Sequence, residues 1–170
     1  MKTIFGLASL KKRFNGAVVN IGVFDGVHRG HSYLIKKAVS MARRTRKKSV
    51  CITFDPHPQG LPYLVSLKHR IRLIRELGVD FCVVIRFNKD FSGMSAREFI
   101  EGVLVKLFQP SFIIVGGNFR FGYGSKGNIE SFKRSEKCFG FKVIPVNELK
   151  SGSHAISSNK IRLLIKEGNL

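Results

Sequence analysis

The chain has 170 residues, 44% of them apolar, which suits one domain with its own core and excludes a disordered chain. No apolar run approaches the roughly 20 residues that cross a bilayer, so we expect no membrane-spanning segment. Thirty Lys and Arg residues against eleven Asp and Glu residues give a net charge of +19. This charge permits nucleic-acid binding, but the basic residues are spread out and not interleaved with aromatic residues. We therefore expect a field that attracts phosphorylated small molecules and no nucleic-acid function.

Five apolar runs predict five strands, and apolar residues at helical spacing predict helices between them. The strands are expected at residues 17–21, 49–54, 81–87, 111–115 and 141–146. Helices are expected at 32–42, at 68–77, after a capping box formed by Ser95 and Glu98, at 129–138, and after Ser157 or Ser158. Because apolar strands without alternation are covered on both faces, we predict an α/β fold: a doubly wound, five-stranded parallel sheet in three α/β/α layers.

Four unusual segments follow predicted strands or precede the last helix. They are residues 22–31, 55–58, 116–122 and the loop leading to Ser157. In doubly wound sheets, ligands bind beyond the carboxyl ends of the strands, near the point where the strand order reverses. We therefore expect these four segments to converge on one cleft.

The first of these segments, residues 22–31 (GVFDGVHRGH), packs three glycines and two histidines into a strand-to-helix turn. Glycine lets the backbone approach a ligand closely, and a helix N-terminus presents unpaired N–H groups and a partial positive charge. The turn therefore predicts an anion site, best suited to phosphate, in which His28 and His31 add side-chain donors. A metal pair or two ordinary histidines are the alternatives. A metal site would need further ligands, and the cysteines lie in the wrong places for it.

The His-x-Gly-His spacing of His28 and His31 resembles the signature of the nucleotidyltransferase and class I tRNA-synthetase superfamily. Five motifs narrow the resemblance: residues 22–31, 53–58 (TFDPHP), 91–99 (FSGMSAREF), 115–122 (VGGNFRFG) and 156–162 (ISSNKIR). In this order they are similar, over nearly the whole chain, to the adenylyltransferase half of the bacterial bifunctional riboflavin kinase/FAD synthetase family. The resemblance implies a Rossmann-like nucleotidyltransferase fold. It also implies the reaction of FMN with ATP to give FAD and pyrophosphate by direct in-line attack, with magnesium arriving as ATP–Mg.

The resemblance further implies roles for individual residues, with His28, His31 and Arg162 acting in catalysis. The nucleotide-binding residues are expected to be Gly22, Phe24, Asp25, Gly26, His28, Gly30, His31, Asn118, Arg120, Ser157, Ser158, Lys160 and Arg162. The flavin cleft is expected to contain Phe54, Asp55 and His57, and no metal ligand is assigned.

Without the resemblance, the sequence also allows purely structural roles for several of these residues. Residues 157–162 also suit an ordinary Ser-capped helix with a solvated Arg162, and residues 55–58 suit a Pro-flanked turn held by Asp55. Asp25 points into the turn, where it could hold backbone N–H groups or approach a magnesium ion, and we expect the structural role. The chain departs from the family at Asn159 and Lys160, where Thr or Ser and often Arg are usual.

Residues 1–170 are expected to form a single nucleotidyltransferase domain, because no segment resembles the flavokinase motif of the family. Three cysteines, far apart and odd in number, are best explained as free buried thiols in a reducing cytoplasm. The expected partners are ATP, FMN, FAD and pyrophosphate, with no membrane and no nucleic acid, and the oligomeric state is not predicted. The alternatives are another nucleotidyl transfer to a small phosphate acceptor, and a non-catalytic module that binds nucleotide or RNA.

Overall fold

Six parallel strands form the central sheet of the computed structural model, which describes residues 1–10, 14–151 and 154–169. The strands are β1 (Lys2–Phe5), β2 (Val18–Ile21), β3 (Ser49–Asp55), β4 (Phe81–Arg86), β5 (Phe112–Gly116) and β6 (Lys142–Val146). Their order across the sheet is β1-β4-β3-β2-β5-β6. The chain therefore builds outward from β2 through β3 and β4, then returns to place β5 on the other side of β2. The strand order reverses between β2 and β5, which is where such a sheet leaves a crevice.

The predicted parallel α/β fold is confirmed, but the predicted number of five strands is wrong. The strand missed is β1, which pairs with β4 at the edge of the sheet. It has only four residues, and both Lys2 and Phe5 are exposed. An edge strand this short and half-buried lacks the continuous apolar run by which the other five strands were recognised.

Helices cover both faces of the sheet, within the described residues. They are α1 (Arg29–Arg44), α2 (Leu67–Glu76), α3 (Lys89–Gly93), α4 (Ala96–Glu98) with a π-helical continuation (Phe99–Phe108), α5 (Ile129–Phe139) and α6 (Ser158–Lys166). Short 3-10 turns occur at Leu7–Ser9, Asp25–Val27 and Tyr123–Ser125, and β7 (Lys150–Ser151) pairs with β8 (His154–Ala155) as a small antiparallel ribbon. The helix α3, the π-helical turns and this ribbon were not predicted. None of the described helices is both long and apolar enough to cross a membrane.

Capping side chains fix where several of these helices begin. The Ser95 hydroxyl accepts a hydrogen bond from the Glu98 N–H at 3.2 Å, and the Glu98 carboxylate accepts one from the Ser95 N–H at 2.7 Å. This is the capping box that the sequence predicts. Ser157 caps α6 in the same way, because its hydroxyl accepts from the Lys160 N–H at 3.3 Å.

Two apolar layers, one on each face of the sheet, complete the three-layer architecture. One layer joins the sheet to the π-helical segment and α5, and it includes Val19, Ile21, Ile52, Leu104, Phe108, Ile113 and Phe132. The other joins the sheet to α1 and α2, and it includes Val18, Ile35, Ala38, Cys51, Ile74, Cys82 and Ile114. Consecutive residues of β2 thus point to opposite layers, and both faces are buried, which explains why the strands read as continuous apolar runs.

The cysteines differ from the expectation in one respect. Cys51 and Cys82 are free and buried, and they are directly opposite each other on β3 and β4. Cys138 is also free but exposed, so the expectation that all three thiols are buried is wrong. It lies on the outer side of α5, where helical spacing alone did not separate inward from outward positions.

Candidate active site

A cavity of about 710 Å³ opens at the carboxyl edge of the sheet, at the point where the strand order reverses. Residues at or next to the carboxyl ends of four neighbouring strands line it: Ile21 of β2, Phe54 of β3, Gly116 of β5 and Val146 of β6. Each of the four segments that the sequence predicts to converge contributes residues to this cavity. The topology alone brings them together, because the carboxyl ends of parallel strands share one edge.

The turn between β2 and α1 forms one wall, and its backbone is unusual. Phe24 has a φ of 52° and Gly26 a φ of 73°, both in the left-handed region. A side chain on Gly22 would come within 2.8 Å of the Phe24 ring, so this position requires glycine. A strained, glycine-dependent turn directly before a helix brings backbone N–H groups close to whatever occupies the cavity.

His28 and His31 lie side by side at the N-terminus of α1. His28 caps the helix, because its Nδ1 accepts from the His31 N–H at 3.4 Å. The two rings stack with centroids 3.6 Å apart and planes 22° from parallel. Both rings line the cavity, and Nδ1 of His31 is buried with no hydrogen-bond partner among the described residues.

Burial governs the charge of both rings. Burial, together with a smaller effect of the adjacent His28, lowers the pKa of His31 to about 3, while a hydrogen bond with the Asp25 backbone acts in the opposite direction. Burial also lowers the pKa of His28, although the Asp25 carboxylate acts in the opposite direction. Both imidazoles are therefore neutral at pH 7 in the free protein, and each offers one N–H donor without a charge.

The Asp25 side chain is 1% exposed and fully engaged by other parts of the chain. Its two carboxylate oxygens accept from the Leu64 N–H at 2.9 and 3.2 Å, and it forms an ion pair with Arg162 of α6. The Asp25 carbonyl also accepts from the Ser158 hydroxyl at 3.0 Å. Asp25 thus fastens α6 and the loop before α2 to the histidine-bearing turn.

Arg162 is held in the same place by several acceptors. Besides Asp25, its guanidinium donates to the Pro62 carbonyl at 3.2 Å and to the Asn159 side-chain oxygen at 3.0 Å. Its Nη2 lies 3.5 Å from Nε2 of His57. The guanidinium is therefore largely buried, lines the cavity and has its charge balanced by a carboxylate.

The loop after β3 forms an adjoining part of the cavity lining, close to Arg162. Of the two residues predicted together in this loop, the structure places only His57 at the cavity. His57 is buried and lines the cavity, its Nδ1 accepts from the Gln59 N–H at 3.1 Å, and burial lowers its pKa. Asp55 does not line the cavity, and its carboxylate lies 3.7 Å from Nη2 of Arg70. Phe54 is 7% exposed, so it belongs to the core and also borders the cavity.

The segment after β5 supplies Asn118 and Arg120, both of which are exposed residues bordering the cavity. The Asn118 amide donates to the Glu148 carboxylate at 2.6 Å. Of the other predicted residues, Gly22, Gly30, Ser157 and Ser158 line the cavity, whereas Gly26 and Lys160, both within the described part of the chain, do not.

Sequence reasoning missed three features of this site: Glu148, Arg70 and an aromatic wall, of which only Phe54 was predicted. The wall contains Phe54, Phe87, Phe91, Phe99, Phe119, Phe121 and Tyr123. Neighbouring rings in it lie in edge or stacked contact, for example Phe119 and Phe121 with centroids 5.7 Å apart. The composition of the chain, with 15 Phe residues and no Trp, is the feature of the sequence that could have indicated an aromatic wall.

Metal-ligating side chains do not cluster in the part of the chain that the structure describes. No group of three or more His, Cys, Asp or Glu residues there could hold a metal ion. Among the residues that the structure describes, two carboxylates line the cavity and both are engaged, Asp25 by Arg162 and Glu148 by Asn118.

A parallel α/β sheet, a glycine- and histidine-rich turn before a helix, and a large cavity at the carboxyl edge are what a nucleotidyltransferase of the His-x-Gly-His type requires. The fold and the site define this class for the chain. The family described as FAD synthetase matches residues 10–160. The chain therefore belongs to the FAD synthetase family.

Curated relatives agree with this assignment. The bifunctional riboflavin kinase/FMN adenylyltransferase of Buchnera aphidicola subsp. Acyrthosiphon pisum is 31% identical over 177 residues, covering 100% of this chain and 56% of the relative. The protein of the same description from Escherichia coli K12 is 32% identical and is covered to 57%. That from Listeria monocytogenes is 35% identical over 90% of this chain and 51% of its own length. The chain thus spans about half the length of these relatives.

A solved structure shares the fold. A crystal structure described as a macrolide-efflux protein from Streptococcus pneumoniae aligns with a TM-score of 0.85 at 28% identity. The alignment covers 99% of this chain and 59% of that chain. The fold of this chain is therefore shared with an experimental structure.

Proposed function

We propose that this chain is an FMN adenylyltransferase, which transfers AMP from ATP to FMN and releases pyrophosphate. The observation that carries the proposal is that one 710 Å³ cavity has two chemically different walls. One wall is the histidine-bearing turn and the N-termini of α1 and α6, which suits phosphates. The other is a set of aromatic rings, which suits a flat heteroaromatic ring system. Family membership and the descriptions of the relatives support the same reaction.

The transfer proceeds by one displacement at phosphorus. An oxygen of the FMN phosphate forms a bond to the α-phosphorus of ATP, and the bond from that phosphorus to the bridging oxygen of the pyrophosphate breaks. The FMN phosphate is already ionised at neutral pH, so no general base is needed. What remains for the protein is to align two anions and to stabilise charge on the α-phosphate and the leaving group.

The residues of the first wall suit that task. His28 and His31 donate N–H groups to the α-phosphate and the pyrophosphate, next to the positive end of the α1 dipole. Arg162 supplies the cationic group facing the same phosphates. Gly22, Gly30, Ser157, Ser158, Asn118 and Arg120 border the nucleotide part of the cavity.

Magnesium enters this scheme with the substrate, as ATP–Mg. Magnesium commonly keeps several waters and binds through substrate phosphates together with one or two carboxylates. The engaged carboxylates around the cavity suit an ion held mainly by the triphosphate. Phe54 and His57 border the side of the cavity assigned to the flavin. Asp55 acts there only through the loop that it shares with His57.

Product analysis tests the proposal directly. The protein is incubated with ATP, MgCl₂ and FMN, and flavins are separated by chromatography while pyrophosphate is assayed enzymatically. We expect FAD and pyrophosphate in equal amounts, and neither when riboflavin, which lacks the nucleophilic phosphate, replaces FMN. Absence of FAD with active relatives as positive controls would refute the proposal. Product formation with another phosphate acceptor instead would assign a different nucleotidyl transfer.

A further inference from the structure

Arg70 is an arginine with no exposed surface, carried by α2 on the protein side of the cavity wall. Its Nη2 donates to the Phe54 carbonyl at 2.9 Å, and its Nη1 donates to the Val23 carbonyl at 3.2 Å. Its Cζ lies 4.1 Å from the centroid of the Tyr63 ring. One guanidinium thus spans the ends of two neighbouring strands.

The two carbonyls belong to two adjoining segments of the cavity lining. Val23 lies in the turn that leads to the histidines, and Phe54 lies at the end of β3, three residues before His57. Each carbonyl also accepts a second hydrogen bond, Val23 from the Thr53 hydroxyl at 2.8 Å and Phe54 from the Tyr63 hydroxyl at 2.7 Å. Arg70 is the group that bonds to both, so it ties the phosphate-side wall to the flavin-side wall.

Stability alone does not explain a charge in this position. Removing a guanidinium from water is costly, and apolar residues of similar volume often replace buried ion pairs with no loss of stability. The compensation here is incomplete, because Asp55 is 3.7 Å away and Nε of Arg70 has no hydrogen-bond partner among the described residues. A planar fork with several donors at fixed angles can, however, hold two carbonyls at a set separation, which a lysine cannot.

We propose that Arg70 is a positioning residue for adenylyl transfer, which sets the separation between the histidine-bearing turn and the loop carrying His57. The inference rests on the proposed function, because it assigns the two substrates to these two walls. In-line transfer requires the attacking and accepting atoms to be aligned within a fraction of an ångström. Loss of the bridge should therefore slow the reaction more than it weakens binding of either substrate alone.

Variants of two arginines on the same helix test this role. Arg70→Met removes both bonds, and Arg70→Lys keeps the charge but not the fork. The control is Arg72→Met, because Arg72 lies two residues away with a side chain 62% exposed, and its contacts with Glu76 and His69 stay on the same helix. Thermal melts define a temperature at which all variants are folded, and kcat and both KM values are measured there.

We expect Arg70→Met to lower kcat by about 100-fold, the loss associated with a misplacement of about 1 Å, while each KM changes less than about fivefold. Arg70→Lys should recover part of this loss, and Arg72→Met should match the wild type. Wild-type kcat in folded Arg70→Met would overturn the proposal, as would raised KM values at unchanged kcat. If Arg70→Met does not fold, wild-type kcat in Arg70→Lys overturns it.

A second measurement separates this inference from the proposed function. Crystal structures of the wild type and of Arg70→Lys give the distance between the Val23 and Phe54 carbonyl oxygens. We expect this distance to differ between them and to be unchanged in Arg72→Met. If the wild type makes no FAD, the proposed function fails, but this distance still tests whether Arg70 positions the two segments. A distance that is unchanged in Arg70→Lys refutes the positioning role.

Discussion

Replacing His31 by Gln should remove much of the acid sensitivity of this protein. Burial lowers the pKa of His31 to about 3 in the folded protein, whereas an unfolded histidine titrates near its ordinary value of about 6.5. Between these two values the unfolded chain binds a proton at this position and the folded protein does not. The stability that the neutral ring contributes is therefore complete above pH 6.5 and is lost as the pH falls toward 3.

The size of the effect follows from these two values. For one such group, lowering the pH from 7 to 5 reduces the free energy of unfolding by about 2 kcal/mol. Below pH 5 the loss continues at about 1.4 kcal/mol per pH unit until the pH nears the folded-state pKa. The pKa values of His28 and His57 are also lowered by burial, so the wild-type loss is larger than that from His31 alone. The difference between wild type and His31→Gln measures the contribution of His31, including its interaction with the adjacent His28.

Urea unfolding at pH 7, 6 and 5 measures this difference. We expect the unfolding free energy of the wild type to fall by about 2 kcal/mol more than that of His31→Gln over this range. Tyr33→Phe, at an exposed position on the same helix, should keep the wild-type slope. Equal pH slopes in the wild type and His31→Gln would show that His31 is not held neutral by burial.

Three further outcomes are expected. Ser95→Ala breaks the capping box with Glu98 and should cost about 1 kcal/mol in urea unfolding with kcat unchanged, so an unchanged midpoint would contradict the role of the cap. Phe132→Ala empties a fully buried position and should cost about 3–5 kcal/mol, and a loss below about 1 kcal/mol would show that the neighbouring rings collapse into the space. ATP binding at pH 6 should take up protons, because the triphosphate favours the charged forms of His28 and His31. Calorimetry in two buffers of different ionisation enthalpy measures this uptake, and heats that do not depend on the buffer, after correction for ATP itself, would exclude it.

The strands and the location of the site could be predicted because both depend on local sequence. Apolar runs such as residues 49–54 are buried on both faces, and the polar and glycine-rich segments that follow them must lie at one edge of a parallel sheet. The edge strand β1 escaped prediction because it is only half-buried.

Contacts made by individual side chains could not be predicted, since they depend on tertiary placement. Arg70 and Arg72 have the same residue type on the same helix, yet one has no exposed surface and the other is mostly exposed. The difference lies in helical phase, because Arg70 shares the inward stripe with Ile71 and Ile74. The sequence does show an arginine on the apolar face of this helix. Its role becomes clear only once the fold shows which buried carbonyls accept its hydrogen bonds.

The distribution of charge around the cavity changes how the net charge of +19 should be understood. Burial keeps His28 and His31 neutral, and Asp25 balances the charge of Arg162. The inner cavity therefore carries little net positive charge before a phosphate arrives, despite the basic surface. Under the proposed function, selectivity within the cavity would come from oriented N–H groups and helix dipoles, which act at short range, whereas the surface charge would act on any anion. The basic surface would then attract phosphorylated molecules in general, and the histidine pair would require a phosphate to be correctly placed.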